Sequence, residues 1–201
     1  MNDLLIRNAR LVTSELVSIA VKNGKIAAIG SELEAMAFET RDALGRVVMA
    51  GLVEAHCHLD KNLTLERVGN SSGTLMEAIT NWVAYKPSLT HGDYYDRAVA
   101  GLELALVNGV TALRSHVDVG VVGGLRALEA VGEARAKFAD VMDVQLVALG
   151  MAGVSDAETA IMQAAMNAGA DIVGGCPWIT PDPRAAVTAV IDLAAKTGKP
   201  I

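Results

Sequence analysis

The chain has 201 residues, 52% of them hydrophobic and 20% charged, with a mean hydropathy of +0.35, which supplies a sizeable core and excludes an intrinsically disordered segment. A net charge of −6 and a pI of about 5.2, with no basic cluster, argue against nucleic acid or an anionic membrane surface as partner. No apolar run reaches membrane-spanning length, the first eight residues lack the form of a signal peptide, and Cys57 and Cys176 show no Cys-x-x-Cys spacing, so a cytoplasmic setting is expected.

Residues 1–46 read as a small all-β segment. Leu4 to Val12 is strand-like, and Ser18 to Val21 and Lys25 to Ile29 flank Asn23-Gly24. Asn-Gly between two apolar runs predicts a hairpin, because a type I′ turn needs positive φ at both central residues. From Val47 onward, strands and helices alternate: a strand ending near His58, helices over Thr74–Tyr85 and His91–Val107, a strand over Val110–Val119, a helix over Gly123–Phe138, a strand over Met142–Leu149, a helix over Asp156–Ala168, a strand over Asp171–Cys176 and a helix over Pro183–Thr197. Gly198-Lys199-Pro200-Ile201 reads as the start of a fifth strand. This alternation with short Gly-containing links predicts a parallel sheet covered by helices, an α/β fold over residues 47–201. Met76, Met162 and Met166 read as core fillers.

The stretch with chemistry is Val47 to Asp60. It is an apolar run ending in His56-Cys57-His58-Leu59-Asp60. Side chains alternate along a strand, so His56 and His58 share one face and Cys57 points away. Two imidazoles on one face can hold one divalent metal ion, zinc and iron being equally suited; the alternative is a pair of hydrogen-bonded polar residues at a strand end. In the next strand Arg114, His116 and Asp118 share a face by the same period. His116 and Asp118 are expected either to line the pocket floor and hold the ligands from behind, or to form a buried ion-pair network near the mouth.

Gly51-Leu52-Val53-Glu54-Ala55-His56-Cys57-His58 resembles the first-strand signature of the amidohydrolase superfamily, Gly-Phe-Val-Asp-x-His-x-His. Four stretches are similar to its cytosine deaminase branch: His56-Cys57-His58-Leu59-Asp60-Lys61, Ser72-Gly73-Thr74-Leu75, Arg114 to Val119, and Asp143 to Ala148. The resemblance implies a (β/α)8 TIM-like barrel, of which this chain is the N-terminal part, ending at strand five. It implies too that residues 1–46 are part of a composite β-sandwich completed from the far C-terminus. About 250 residues are typical of such a barrel, so the chain is expected to be a fragment, or to be completed by another chain.

The implied activity is metal-dependent hydrolytic deamination of a cytosine-like or related N-heterocycle, with water activated by the metal attacking the carbon that bears the amino group. His56 and His58 match the first two metal ligands. The remaining ligands and the acid-base glutamate are expected beyond Ile201, so the 201 residues alone are expected to be inactive. The fourth strand has no lysine to bridge two metals, which favours a single ion. Leu75 matches a position that packs near the substrate ring, and Trp178 is expected to cover the pocket mouth or to serve packing. Met151 stands where the branch has a glutamine that reads the heterocycle's amide edge, and a thioether offers no such donor and acceptor pair. A related ring is therefore favoured over cytosine itself. Two alternatives stand beside this: an amidohydrolase that cleaves an N-substituted triazine or a cyclic amide, and an inactive half-barrel that binds a partner or pairs as a homo-oligomer.

Overall fold

The computed structural model describes residues 1–31 and 33–201. The chain divides into two compact units, Met1–Ala50 and Gly51–Ile201.

The first unit is a four-stranded sheet of β1 (Asn2–Arg10), β2 (Leu16–Lys22), β3 (Lys25–Gly30) and β4 (Ala37–Asp42), in the order β3-β2-β1-β4. The β2–β3 hairpin turns through Asn23 and Gly24 at φ 52° and 69°, the two positive values that a type I′ turn requires. β4 pairs parallel to β1 and was not expected from sequence: Phe38-Glu39-Thr40-Arg41-Asp42 is almost wholly exposed, as suits a charged edge strand. Ala9, Val17 and Ile19 cluster on one face, and Leu5 and Ala20, paired across β1 and β2, are buried as well. Val47 pairs with Arg10, and Val48 N–H donates to the Arg10 carbonyl, so the apolar run before the histidines starts in this unit rather than in the strand that carries them.

The second unit is a parallel sheet of β5 (Leu52–Cys57), β6 (Val110–Asp118), β7 (Asp143–Gly150) and β8 (Ile172–Gly175), adjacent in that order. A short helix, α1 (Leu65–Val68), lies in the segment expected to be loop. α2 (Leu75–Tyr85), α3 (His91–Val107), α4 (Arg126–Lys137), α5 (Asp156–Asn167) and α6 (Pro183–Thr197) follow the expected order. Side-chain caps set their starts. Thr74 and Ser155 accept from the N–H three residues on, Thr90 and Asp93 cap each other, and Asp182 caps α6 just before Pro183.

The sheet buries one face under the helices. Leu113, Ser115 and Val117 of β6 and Val144, Leu146 and Ala148 of β7 point that way. The intervening Arg114, His116 and Asp118 lie on the opposite, open face, where Arg114 donates twice to Gln145 Oε1, at 2.9 and 3.0 Å. Val173 N–H donates to the Pro200 carbonyl at 2.9 Å, so the last residues run beside β8 without forming a strand. Neither a closed eight-stranded barrel nor a second sheet over β1–β4 occurs among the described residues.

Candidate active site

The C-terminal end of β5 and the turn after it carry the site. Cys57 packs into the core behind the strand, where burial pushes its thiol up to about 11 and leaves it unreactive. The flanking His56 and His58 therefore share the open face, their ring centroids 5.2 Å apart. His116 joins them from β6. Its ring stacks on His56 at 4.1 Å with 20° between planes and stands 5.7 Å from His58. Burial and the two neighbouring imidazoles lower the His116 pKa to about 4, so it is neutral at physiological pH.

His58 Nδ1 lies 2.9 Å from the His116 carbonyl oxygen. A carbonyl only accepts, so Nδ1 carries the proton and Nε2 keeps a free lone pair. Lys61 Nζ is 3.3 Å from the same Nδ1, but a protonated Nδ1 cannot accept from an ammonium, and the shorter carbonyl contact is the hydrogen bond. Burial and the Lys61 charge also lower the His58 pKa, which favours the neutral ligand form. The chemistry of this pair thus fits a divalent metal. Among the described residues no three His, Cys, Asp or Glu side chains converge on one ion. The face-to-face stacking of His116 on His56 fits that: stacked rings do not aim their nitrogens at a common point.

Beside the histidines lies a charged network. Lys61 Nζ donates to Asp118 Oδ1 at 2.7 Å and to Asp60 Oδ2 at 3.1 Å. Asp118 Oδ2 accepts from Trp82 Nε1 at 2.8 Å, and Lys86 Nζ is 3.9 Å away. Asp60 is fully buried, and its Oδ2 also accepts from Asp118 N–H at 3.1 Å, tying the β5 turn to the end of β6. Buried Arg97 of α3 donates to the Asp60 and Asn62 carbonyls, and Leu59 N–H donates to buried Ser115 Oγ at 2.9 Å, so the turn is braced on three sides. Burial raises the Asp60 pKa. It opposes ionisation of Asp118 and Lys61 as well, but the charges of Asp60 and Asp118 on Lys61, and of Lys61 on Asp118, outweigh it: Asp118 ends below the usual carboxylate range and Lys61 above the usual amine range.

Leu75, Met151 and Trp178 stand apart from this cluster. Leu75 opens α2 and is exposed, Met151 follows β7 and is half-buried, and Trp178 sits exposed in the turn after β8. All three lie past the C-terminal ends of strands, and no ring contact or side-chain hydrogen bond joins them to the histidines among the described residues. The sequence reading assigned no role to Lys61, Trp82 or Arg97. Lys61 adjoined the histidine motif and could have been singled out; Trp82 and Arg97 carried no local signal.

The second unit thus carries a histidine pair at the C-terminal end of the first strand of a parallel β/α sheet. An amidohydrolase family model matches residues 39–170, and the chain belongs to that family, falling with its cytosine deaminase-like branch. N-isopropylammelide isopropyl amidohydrolase of Pseudomonas sp. (strain ADP) is 30% identical, over 98% of this chain and 50% of its own length. The structure of 5-methylcytosine deaminase from Klebsiella pneumoniae, liganded with 5-fluorocytosine, is 34% identical with a TM-score of 0.87, covering 97% of this chain and 49% of that one. N-isopropylammelide isopropylaminohydrolase from Burkholderia multivorans is 31% identical with a TM-score of 0.85, covering 98% and 51%. The chain spans about half the length of the relatives it matches.

Proposed function

We propose that the intact protein carrying this chain is a metal-dependent amidohydrolase that hydrolyses an exocyclic C–N bond of a small N-heterocycle, in the manner of the deaminases it resembles. The observation that carries this reading is the contact of His58 Nδ1 with the His116 carbonyl, which leaves Nε2 unprotonated on a ring 5.2 Å from that of His56. His56 and His58 would hold one divalent ion, zinc or iron, and bound there it would supply an activated water nucleophile. His116 holds His58 through its backbone. Lys61, 23% exposed at its side chain and fixed by two carboxylates, presents an ammonium at the mouth that can donate to a ring carbonyl. Leu75, Met151 and Trp178 line the approach in this reading. Residues 47–201 supply the first half of the barrel, and residues 1–46 one layer of the sandwich. With only two ligands in place, the 201 residues alone are inactive.

A second reading keeps the site and changes the leaving group to an alkylamine. Exposed apolar side chains past the strand ends favour it: Leu63, Leu75, Met76, Val121, Val122 and Trp178 follow β5, β6 and β8 and would suit an alkyl substituent. Met151, in place of the branch's glutamine, points the same way. Metal-loaded intact protein incubated with cytosine, 5-methylcytosine and an N-alkylaminotriazine separates the two. Ammonia release supports deamination, alkylamine release supports the second reading, and neither product from any substrate defeats both.

A further inference from the structure

Trp82 belongs to α2, which carries no predicted metal ligand, yet it touches both members of the ion pair beside the histidines. Its Nε1 donates to Asp118 Oδ2 at 2.8 Å, and Lys61 Nζ stands 5.7 Å from its ring centroid. The other oxygen of the same carboxylate, Oδ1, accepts from Lys61 at 2.7 Å. The indole is 6% exposed, and its orientation is fixed by aromatic contacts with Tyr94 (6.5 Å, 80° between planes) and Tyr85 (6.5 Å, 51°). A buried N–H needs a partner, and Asp118 is the one it has.

Lysine is a flexible stem with a rotatable three-donor head, so its ammonium is only as well placed as its acceptors. Asp118 has a competing cation close by: Lys86 Nζ is 3.9 Å from the oxygen that Trp82 occupies. Without the indole N–H that oxygen is open to Lys86, and the carboxylate is free to rotate away from Lys61. With it, Oδ2 is committed to Trp82 and Oδ1 to Lys61.

We propose that Trp82 is a positioning residue, whose indole N–H locks Asp118 and whose ring backs Lys61, so that the ammonium is held at one place beside His58. The proposal rests on the reading that Lys61 meets the substrate at the mouth. It goes beyond it by placing control of that contact on α2, the second helix after the strand of the histidines.

Trp82→Phe in the intact protein removes the indole N–H and keeps an aromatic ring, smaller than the indole. The expected result is about a tenfold lower kcat/KM on the N-heterocycle, the scale of one lost charge-assisted hydrogen bond, with metal content unchanged. In a double-mutant cycle, Lys61→Met costs less activity in the Trp82→Phe background than alone. A readout free of activity is the Trp82 indole ¹H–¹⁵N resonance, assigned by its loss in Trp82→Phe: Lys61→Met shifts it, because the carboxylate it reports on has lost its cation. A kcat/KM within twofold of wild type in Trp82→Phe, or an indole resonance unmoved by Lys61→Met, overturns the proposal. An inactive wild type whose resonance does respond sinks the functional reading while supporting the hold of Trp82 on the pair.

Discussion

Lys61 shows why single residues at this site carry more weight than their number suggests. It bonds two carboxylates at once, and the attraction is strong enough to overcome the burial of Lys61 and Asp118, though not that of fully buried Asp60. Lys61→Met would take the shared cation from Asp60 and Asp118 and leave only Lys86, 3.9 Å from Asp118. Removing one partner from a buried ionic group strands the others, and here the expected loss is about 2–3 kcal/mol, below the fully buried case because Lys61 and Asp118 keep some solvent. Urea denaturation of the variant checks it, and Asp118→Asn in the same background should recover part of the loss; no recovery would place the cost in packing. At this scale the sequence was half legible. The histidine pair could be read because strand periodicity alone puts positions 56 and 58 on one face. Trp82 could not, since its tie to Asp118 spans 36 residues and arises only when α2 and β6 are packed together.

Among the elements, those with local grammar were legible and those without were not. The β2–β3 hairpin follows from Asn23-Gly24, and Gly24→Ala at φ 69° should cost about 1 kcal/mol, measured as a lower denaturation midpoint. β4 escaped because an exposed, charged edge strand has little apolar alternation to show; its place is set by pairing with β1, 34 or more residues away. The loop before α2 offers a prediction with a defined sign. Glu77 accepts from the Ser72 hydroxyl and from the Ser71 and Ser72 N–H groups, and these bonds hold its carboxyl below the usual range. A depressed acid contributes stability above its unfolded pKa and loses it as pH falls through the folded value. The Ser71 and Ser72 amides should therefore stay protected from hydrogen exchange above about pH 4.5 and open on further acidification. In Glu77→Gln that acid-induced step should vanish; its persistence would assign the step elsewhere.

The whole molecule was legible as an alternation of strands and helices because a parallel sheet needs crossover helices, and their caps and breakers are written locally. The split at Ala50 was less so: Val47 and Val48 look continuous with the strand of the histidines, yet they hydrogen-bond to β1. The proposed function places one metal ion at the His56–His58 pair and C–N hydrolysis in the intact protein. The most direct test is the zinc and iron content of the purified intact protein, by mass spectrometry, for wild type and His58→Ala, with product formation followed in the same samples. About one ion per wild-type chain is expected, with loss of both ion and hydrolysis in the variant. Full metal content and undiminished hydrolysis in His58→Ala would contradict it.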